Sequence, residues 1–216
     1  MKTTPRSAFT LIELLLVISI IGVLSTLVAP AVNTMMRGSR LTQAGDKVAA
    51  VLSQARQTAL TSNHSVEVRF YQYGDPEVPG EKAATPSTGR YRAIQAIEYK
   101  DDGTEIKGKI EKLPLSIVID SGTVISTLME KTKDWGVDGT GQPNTPPTIP
   151  IAGKNYNCCA FRFLSDGSTN LASTGGKLWF ITLHNLLDGD GRTTPPPNYS
   201  TIKIDPVNGS LKVYRP

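Results

Sequence analysis

The first 29 residues constrain this chain more than any other segment does. Residues 1–8 are polar and basic, and an apolar run with one charged residue, Glu13, extends from Phe9 to Ala29. As an α-helix this run would be about 31 Å long, which matches the hydrocarbon thickness of a bilayer. The basic residues before it predict a cytoplasmic N-terminus, with everything after Ala29 on the far side of the membrane.

Two ordinary interpretations of such a run leave Glu13 unexplained. A secretory signal peptide has an apolar region of only about 7–15 residues, and the proline in Ala29-Pro30-Ala31 counts against cleavage there. A plain membrane anchor fits the length. However, an acid in a membrane helix costs about 2–3 kcal/mol if it lies deep and unpaired. Glu13 therefore predicts a functional role and a partner.

A cut between Ala8 and Phe9 would supply that partner. The cut creates a positively charged amine on Phe9, close in sequence to Glu13. In a packed array of such helices, Glu13 of one subunit could pair with the Phe9 amine of its neighbour. The Glu13 charge would then be costly in lipid on its own, and the amine of the neighbouring subunit would compensate it in the assembly. This pairing favours the correct register between neighbouring helices.

The segment Ala8-Phe9-Thr10-Leu11-Ile12-Glu13-Leu14 resembles the prepilin signal of type IV pilins and type II secretion pseudopilins. The resemblance implies that a prepilin peptidase cuts after Ala8 and methylates the new amine of Phe9. The usual residue before the cut is glycine, so Ala8 is a departure that should slow processing. Pro30 falls where many pilins carry a helix-kinking proline.

The same resemblance implies where the protein resides and what it meets. It predicts a single-pass protein of the bacterial inner membrane with its C-terminal domain in the periplasm, which later enters a pilus or pseudopilus filament. The implied partners are the prepilin peptidase, other pilin or pseudopilin subunits, an inner-membrane assembly platform and membrane lipid.

After Pro30 the pattern predicts an amphipathic helix that ends at Thr61-Ser62-Asn63. Its apolar stripe recurs at three- and four-residue steps: Leu41, Ala44, Val48, Val51, Leu52, Ala55 and Ala59. Gly38 and Gly45 should each weaken this helix by about 1 kcal/mol relative to alanine.

From Ser65 the period changes to two, which predicts strands. In the first strand Val66, Val68 and Phe70 should face a core, and Glu67, Arg69 and Tyr71 should face solvent. Similar runs are Tyr91–Lys100, Leu113–Ile119, Cys159–Leu164, Leu178–Leu183, Tyr199–Ile204 and Leu211–Tyr214. Asp102-Gly103 and Asn208-Gly209 predict turns between strands.

These elements predict an α+β fold, in which a long N-terminal hydrophobic helix packs on an antiparallel β-sheet or a small β-sandwich, as in pilins. The expected divisions are a leader over residues 1–8, a long helix over 9–61, and a β-rich periplasmic domain over 62–216. Residues 9–29 of the helix would lie in the membrane or filament core. Two Gly- and Pro-rich loops, Asp134–Asn157 and Asp188–Asn198, would be partner-facing segments or tolerated insertions.

Later segments resemble one branch of the pilin family. Three segments follow the order of helix, strand and turn seen in minor pseudopilin H: Gln54–Leu60, Val66–Phe70 and Phe163-Leu164-Ser165-Asp166-Gly167. The C-terminal segments Ile202–Pro206 and Gly209–Pro216 resemble H-like cassette proteins of the cassette protein D type of Verrucomicrobia. Residues 72–157 match neither.

The two cysteines, Cys158 and Cys159, are neighbours. Their Cα atoms lie about 3.8 Å apart, whereas a normal disulfide needs about 5.5–6 Å, so a bridge would form a strained ring. We expect two unpaired thiols on opposite faces of a strand.

No arrangement for catalysis or cofactor binding is evident, so the sequence predicts neither an enzyme nor a resident metal. His64 and His184 lie in no nucleophile motif, and each is expected at the surface or at a strand end. Asp188 and Asp190 could supply oxygen ligands to Ca²⁺, but no acid follows at the expected twelfth loop position. A solvated turn is the favoured interpretation there.

The leading hypothesis is a minor pilin or pseudopilin, assembled into a type II secretion pseudopilus or a type IV pilus-like filament. The alternative is a DNA-binding minor pilin for DNA uptake, supported by Lys203, Lys212 and Arg215. The net charge of +4 is mild and gives no general reason to expect nucleic acid as a partner. An enzyme carried on a membrane stalk would need catalytic residues that the sequence does not offer.

Overall fold

A computed structural model describes residues 10–75, 89–132, 148–149, 154–155, 158–173 and 176–216. At residues 27–34, 73, 131–132, 148–149 and 154–155 it describes the backbone alone. The chain divides into two compact units, Met1–Ser39 and Arg40–Pro216. The predicted leader and most of the predicted loop at 134–157 lie outside the described residues.

A single helix, α1, is assigned from Leu11 to Ser62. Its end agrees with the prediction from Thr61-Ser62-Asn63. Asn63 takes a left-handed backbone conformation (φ 58°), which cannot continue a right-handed helix. The Ser62 hydroxyl also donates to the Thr58 carbonyl at 2.9 Å and so uses one of the carbonyls left open at the helix end.

The unit Arg40–Pro216 is built on an antiparallel sheet. Its strands are β1 Ser65–Tyr73, β2 Arg90–Tyr99, β3 Glu105–Lys107, β4 Glu111–Lys112, β5 Ile117–Ile119, β8 Cys158–Phe163, β9 Trp179–Asn185, β10 Tyr199–Ile204 and β11 Leu211–Tyr214. They run in the order β11-β10-β9-β5-β2-β1-β8, and β3 and β4 also pair with β2.

Smaller elements complete the described fold. A separate two-stranded sheet joins β6 (Thr148–Ile149) to β7 (Lys154–Asn155), and 3₁₀ helices cover Thr127–Thr132 and Leu186–Asp188. The predicted α+β class, a helix on an antiparallel sheet, is confirmed.

The main core lies between α1 and one face of the sheet. The helix contributes the predicted stripe: Leu41, Ala44, Val48, Leu52, Ala55 and Ala59 are buried, and Val51 packs against them partly buried. The sheet contributes Val66, Val68 and Phe70, which project to the same face because side chains alternate along a strand. The apolar half of the prediction for β1 is therefore confirmed.

The other half of that prediction is wrong, because the second face of β1 is also buried. Glu67, Arg69 and Tyr71 are each at most 3% exposed. Charges can be buried here because they compensate each other: Arg69 Nε and Arg162 Nε both donate to the Glu67 carboxylate. The Arg162 guanidinium also stacks 4.3 Å from the centre of the Tyr99 ring. Alternation alone cannot distinguish such a paired polar face from a solvated one.

The predicted strand over Leu113–Ile119 is shorter in the structure. Pro114 accepts from the Ile117 amide at 2.8 Å in a tight turn, so only Ile117–Ile119 forms β5. The short strands β3 and β4 were not predicted. They are mostly exposed and rich in charged residues, so they lack the apolar alternation on which such a prediction depends.

Gly45 has a packing role that the sequence did not indicate. α1 is continuous through this residue, and a Cβ added there would lie 2.6 Å from Ser200 Oγ. Glycine therefore lets the helix approach β10 closely, which accounts for a residue of low helix propensity in a packed helix.

Candidate functional site

The N-terminus of α1 is closed by three reciprocal hydrogen bonds between Thr10 and Glu13. Glu13 Oε2 accepts from the Thr10 amide at 2.9 Å and from the Thr10 hydroxyl at 2.8 Å. The Glu13 amide donates to Thr10 Oγ1 at 3.3 Å. This is a capping box, which satisfies backbone donors that a helix start leaves open. Among the described residues no group donates to the second carboxylate oxygen, Oε1.

The first turns of α1 are apolar on every side and exposed. From Leu11 to Leu24 the large apolar side chains are between 45% and 81% exposed. Apolar exposure of this extent on one element marks a surface that something else covers.

The polar side chains of this stretch form hydrogen bonds within their own helix. Beyond the capping box, Ser19 and Ser25 each donate to the backbone carbonyl one turn earlier at 2.8 Å, and Thr26 donates to the Val23 carbonyl at 2.7 Å. Such bonds remove the cost of placing a hydroxyl in an apolar environment.

None of the helices, taken over the described residues, reaches the length and apolar character needed to cross a membrane.

The residues predicted for processing have the following places. Ala8 and Phe9 lie outside the described residues, and Pro30 is described by its backbone alone, within α1. Cleavage after Ala8, methylation of Phe9 and a kink at Pro30 therefore stay predictions.

Comparison with known families identifies the N-terminal segment. Residues 4–29 match the model of the prokaryotic N-terminal methylation motif. The chain therefore carries this motif at its N-terminus. The match includes Ala8, Phe9 and Glu13, the residues to which the sequence assigned processing and assembly.

Two solved structures show a distant likeness to this chain. The minor pseudopilin EpsH of the Vibrio cholerae type 2 secretion system shares 12% identity with a TM-score of 0.43, over 82% of this chain and 98% of that one. The type IV minor pilin FimU of Pseudomonas aeruginosa shares 8% identity with a TM-score of 0.40, over 82% and 93%. No curated protein matches the sequence.

The segments that resemble the H branch meet at the end of α1. Arg56 Nε donates to the Asn208 carbonyl in the β10–β11 turn at 3.0 Å. A Cβ on Gly209 would lie 2.3 Å from the carbonyl oxygen of Gly167 in the Ser165-Asp166-Gly167 turn, and a Cβ on Gly167 would lie 3.0 Å from Leu60. These two turns, which adjoin the edge strands β8 and β11, therefore hold the end of the helix against the sheet.

The residues suggested for DNA binding separate into two environments. Lys203 of β10 and Lys212 of β11 are directly opposite each other, and Lys212 Nζ lies 5.2 Å from the centre of the Tyr214 ring. Arg215 instead forms an ion pair with Asp46 of α1. The structure thus brings two of the three cations together and places the third against the helix.

The cysteines and His64 occupy the places that the sequence predicts. Cys158 and Cys159 form no disulfide, are buried and lie on opposite faces of β8, where Tyr71 and Phe70 of β1 are their register partners. Burial raises the pKa of the Cys158 thiol. His64 precedes β1, and its Nδ1 lies 2.8 Å from the Glu98 carboxylate.

The prediction of a surface or strand-end place for His184 is right about the strand end and wrong about the surface. His184 is the penultimate residue of β9 but is fully buried, with Nε2 2.9 Å from Asp120 Oδ2 and Nδ1 2.8 Å from the Asn185 carbonyl oxygen. Asp120, also fully buried, follows β5. No spacing signal in the sequence connects Asp120 to His184, because only strand pairing between β5 and β9 brings them together.

Asp190, one of the two residues considered for Ca²⁺, completes this cluster. Potential ligand atoms of Asp120, His184 and Asp190 lie within 4.8 Å of one another. Asp190 Oδ1 accepts from the amides of Ser121 at 2.7 Å and Gly191 at 2.9 Å. With both histidine nitrogens and both carboxylates engaged in hydrogen bonds, the geometry is that of an ion-pair network rather than of an open metal site.

Proposed function

We propose that the chain is a minor pilin or pseudopilin subunit. A prepilin peptidase would process it after Ala8, and an inner-membrane assembly platform would add it to a type II secretion pseudopilus or a type IV pilus-like filament. The observation that carries this proposal is the start of α1, where an exposed apolar surface with internally bonded polar side chains lies within the segment that matches the N-terminal methylation motif.

In this proposal residues 9–29 have two successive environments. Lipid of the bacterial inner membrane covers them first, with the β-rich unit in the periplasm, and the helices of neighbouring subunits cover them in the filament. Exposed Leu, Ile and Val side chains suit both environments, since each is apolar.

Glu13 would act in the second environment. One of its oxygens closes its own helix through Thr10, and the other is available for the methylated Phe9 amine of a neighbouring subunit. The same carboxylate can therefore cap its helix and pair with its neighbour, which a neutral side chain cannot do as strongly.

The first experiment is the intact mass of the protein from cells with and without an active prepilin peptidase. A form that begins at N-methylated Phe9, present only with the peptidase, is expected. A form cut after Ala31, or one that is never cut, would contradict the proposal.

A pair of substitutions then separates capping from charge pairing. Glu13→Gln keeps an acceptor for Thr10 but loses the charge, so we expect normal insertion and cleavage with poor incorporation into filaments. Thr10→Ala is the matched control, because it removes both hydrogen bonds of the Thr10 hydroxyl and keeps the carboxylate. This variant should be incorporated. Normal incorporation of Glu13→Gln would refute the pairing.

The alternative, a DNA-binding minor pilin, is favoured by one observation, the opposed Lys203 and Lys212 on the β10–β11 hairpin. Like charges directly opposite each other destabilise a sheet, and a polyanion would relieve that repulsion. Loss of DNA affinity in the Lys203→Ala/Lys212→Ala variant, with a smaller salt dependence, would support this function. Absence of binding by the unaltered protein at low salt would exclude it.

A further inference from the structure

The cluster around His184 carries an inference that does not depend on the proposed function. Both ring nitrogens of this buried histidine face oxygen acceptors, the Asp120 carboxylate and the Asn185 carbonyl. A neutral imidazole has one N–H group and one nitrogen lone pair, so one ring nitrogen would direct its lone pair at an acceptor oxygen. A protonated imidazolium can donate to both.

Asp120 has the hydrogen bonds of an ionised carboxylate. Its Oδ1 accepts from the Gly122 amide at 2.7 Å, and its Oδ2 accepts from His184 and from the Arg192 amide at 3.2 Å. Carboxylates that accept several N–H groups strongly favour the charged form. His184 and Asp120 are therefore a buried ion pair.

This ion pair connects two segments far apart in the sequence. Residues 120–122, which directly follow β5, contact residues 189–192. The second segment lies in the predicted loop Asp188–Asn198. Asp190 adds the hydrogen bond to the Ser121 amide, and a Cβ on Gly122 would lie 3.0 Å from the Arg192 carbonyl oxygen. The contact is close-packed and depends on the Asp120 charge at its centre.

We propose that Asp120 and His184 form a proton-dependent lock that holds the segment 189–192 against residues 120–122 and opens when His184 loses its proton. Deprotonation would leave a buried lone pair facing an oxygen and would remove the positive partner of Asp120. An unmatched buried group of this kind costs far more than an exposed one.

Other groups around His184 support the charged form. Asp190 lies in the same cluster, and Arg90 Nε is 3.4 Å from Asp190 Oδ2, an ion-pair distance that partly offsets the second negative charge. Across the sheet, the register partners of His184 are Val118 on β5 and Tyr199 on β10. Burial alone would lower the pKa of His184, but its hydrogen bonds to Asp120 and Asn185 outweigh burial and raise it.

The direction of the pH effect follows from both partners. Because folding raises the pKa of His184, its contribution to stability is complete below the ordinary histidine pKa and is lost as the pH rises through the raised pKa. Burial would raise the pKa of Asp120, but hydrogen bonds from His184 and two amides lower it, so its contribution is lost only in acid. The lock is therefore closed below the ordinary histidine pKa and opens as the pH rises through the raised pKa of His184.

The charge of His184 can be measured directly by nitrogen-15 NMR. The full chain is labelled at histidine and studied in detergent micelles. The sequence contains two histidines, so a His64→Gln variant leaves only the signals of His184. We expect both ring nitrogens of His184 to be mostly protonated at the ordinary histidine pKa of about 6.5 and to titrate only above it. A His184 that is mostly neutral at that pH would overturn the proposal, and the measurement leaves Asp120 and His184 unaltered.

Hydrogen exchange tests the opening. Protection of the Gly122, Gly191 and Arg192 amides, relative to their intrinsic exchange, should fall with rising pH by about tenfold for each unit by which the pKa of His184 is raised. Amides of the β10–β11 hairpin are the internal reference. In Asp120→Asn the titration of His184 should move to lower pH, which a purely steric role would not cause. Protection independent of pH, or an unmoved titration, would refute the lock.

Discussion

Replacing Gly209 with alanine should destabilise the unit Arg40–Pro216 by about 2–5 kcal/mol. Gly209 has a left-handed backbone (φ 64°) in the β10–β11 turn, and an added Cβ would lie 2.3 Å from the backbone carbonyl oxygen of Gly167. It would also lie 3.1 Å from Arg56 Nε, whose hydrogen bond to Asn208 ties the turn to α1.

Two costs make up that figure. A residue with a Cβ in the left-handed conformation costs about 1–2 kcal/mol, and overpacking against a rigid neighbour adds about 1–3 kcal/mol. Gly103→Ala is the matched control, because Gly103 is also left-handed (φ 81°) but has nothing within 4 Å of the added Cβ. It should show the backbone cost alone.

Equilibrium denaturation of the full chain in detergent provides the measurement. Both variants should lower the denaturation midpoint at an unchanged slope, and Gly209→Ala should lower it further than Gly103→Ala. Equal losses in the two variants would show that the contact between the Gly167 and Gly209 turns does not hold the fold together, and the reasoning on the helix-end junction would be wrong.

Further predictions concern the second face of β1 and the thiols. Glu67→Gln should cost about 3–5 kcal/mol, because two buried guanidinium groups lose the carboxylate they share. Glu111→Gln, in the partly exposed pair with Lys47, should cost only about 0–1 kcal/mol. Similar losses for the two variants in urea titrations would refute this contrast. Cys158 and Cys159 should react with a maleimide only after unfolding, since both are buried and burial raises the pKa of Cys158. Labelling of the native protein would contradict their placement.

The sequence was sufficient wherever the relevant information is local. The helical stripe from Leu41 to Ala59 and the end of α1 near Asn63 follow from periodicity and backbone preference, and the structure confirms both. The turn at Asn208-Gly209 is local in the same sense. The functional role of Glu13 stays a prediction. Its bonds to Thr10 were not predicted, although the capping-box spacing of the two residues was an available signal.

Only the tertiary structure decided which distant residues meet. The lock between Asp120 and His184 depends on the pairing of β5 with β9, and the burial of Glu67 depends on Arg162, which β8 places beside β1. Gly45, a weak helix residue by propensity, is explained by the approach of β10. Periodicity indicates which face of an element is apolar, but pairing between elements far apart in sequence decides whether a polar face meets water or a buried partner of opposite charge.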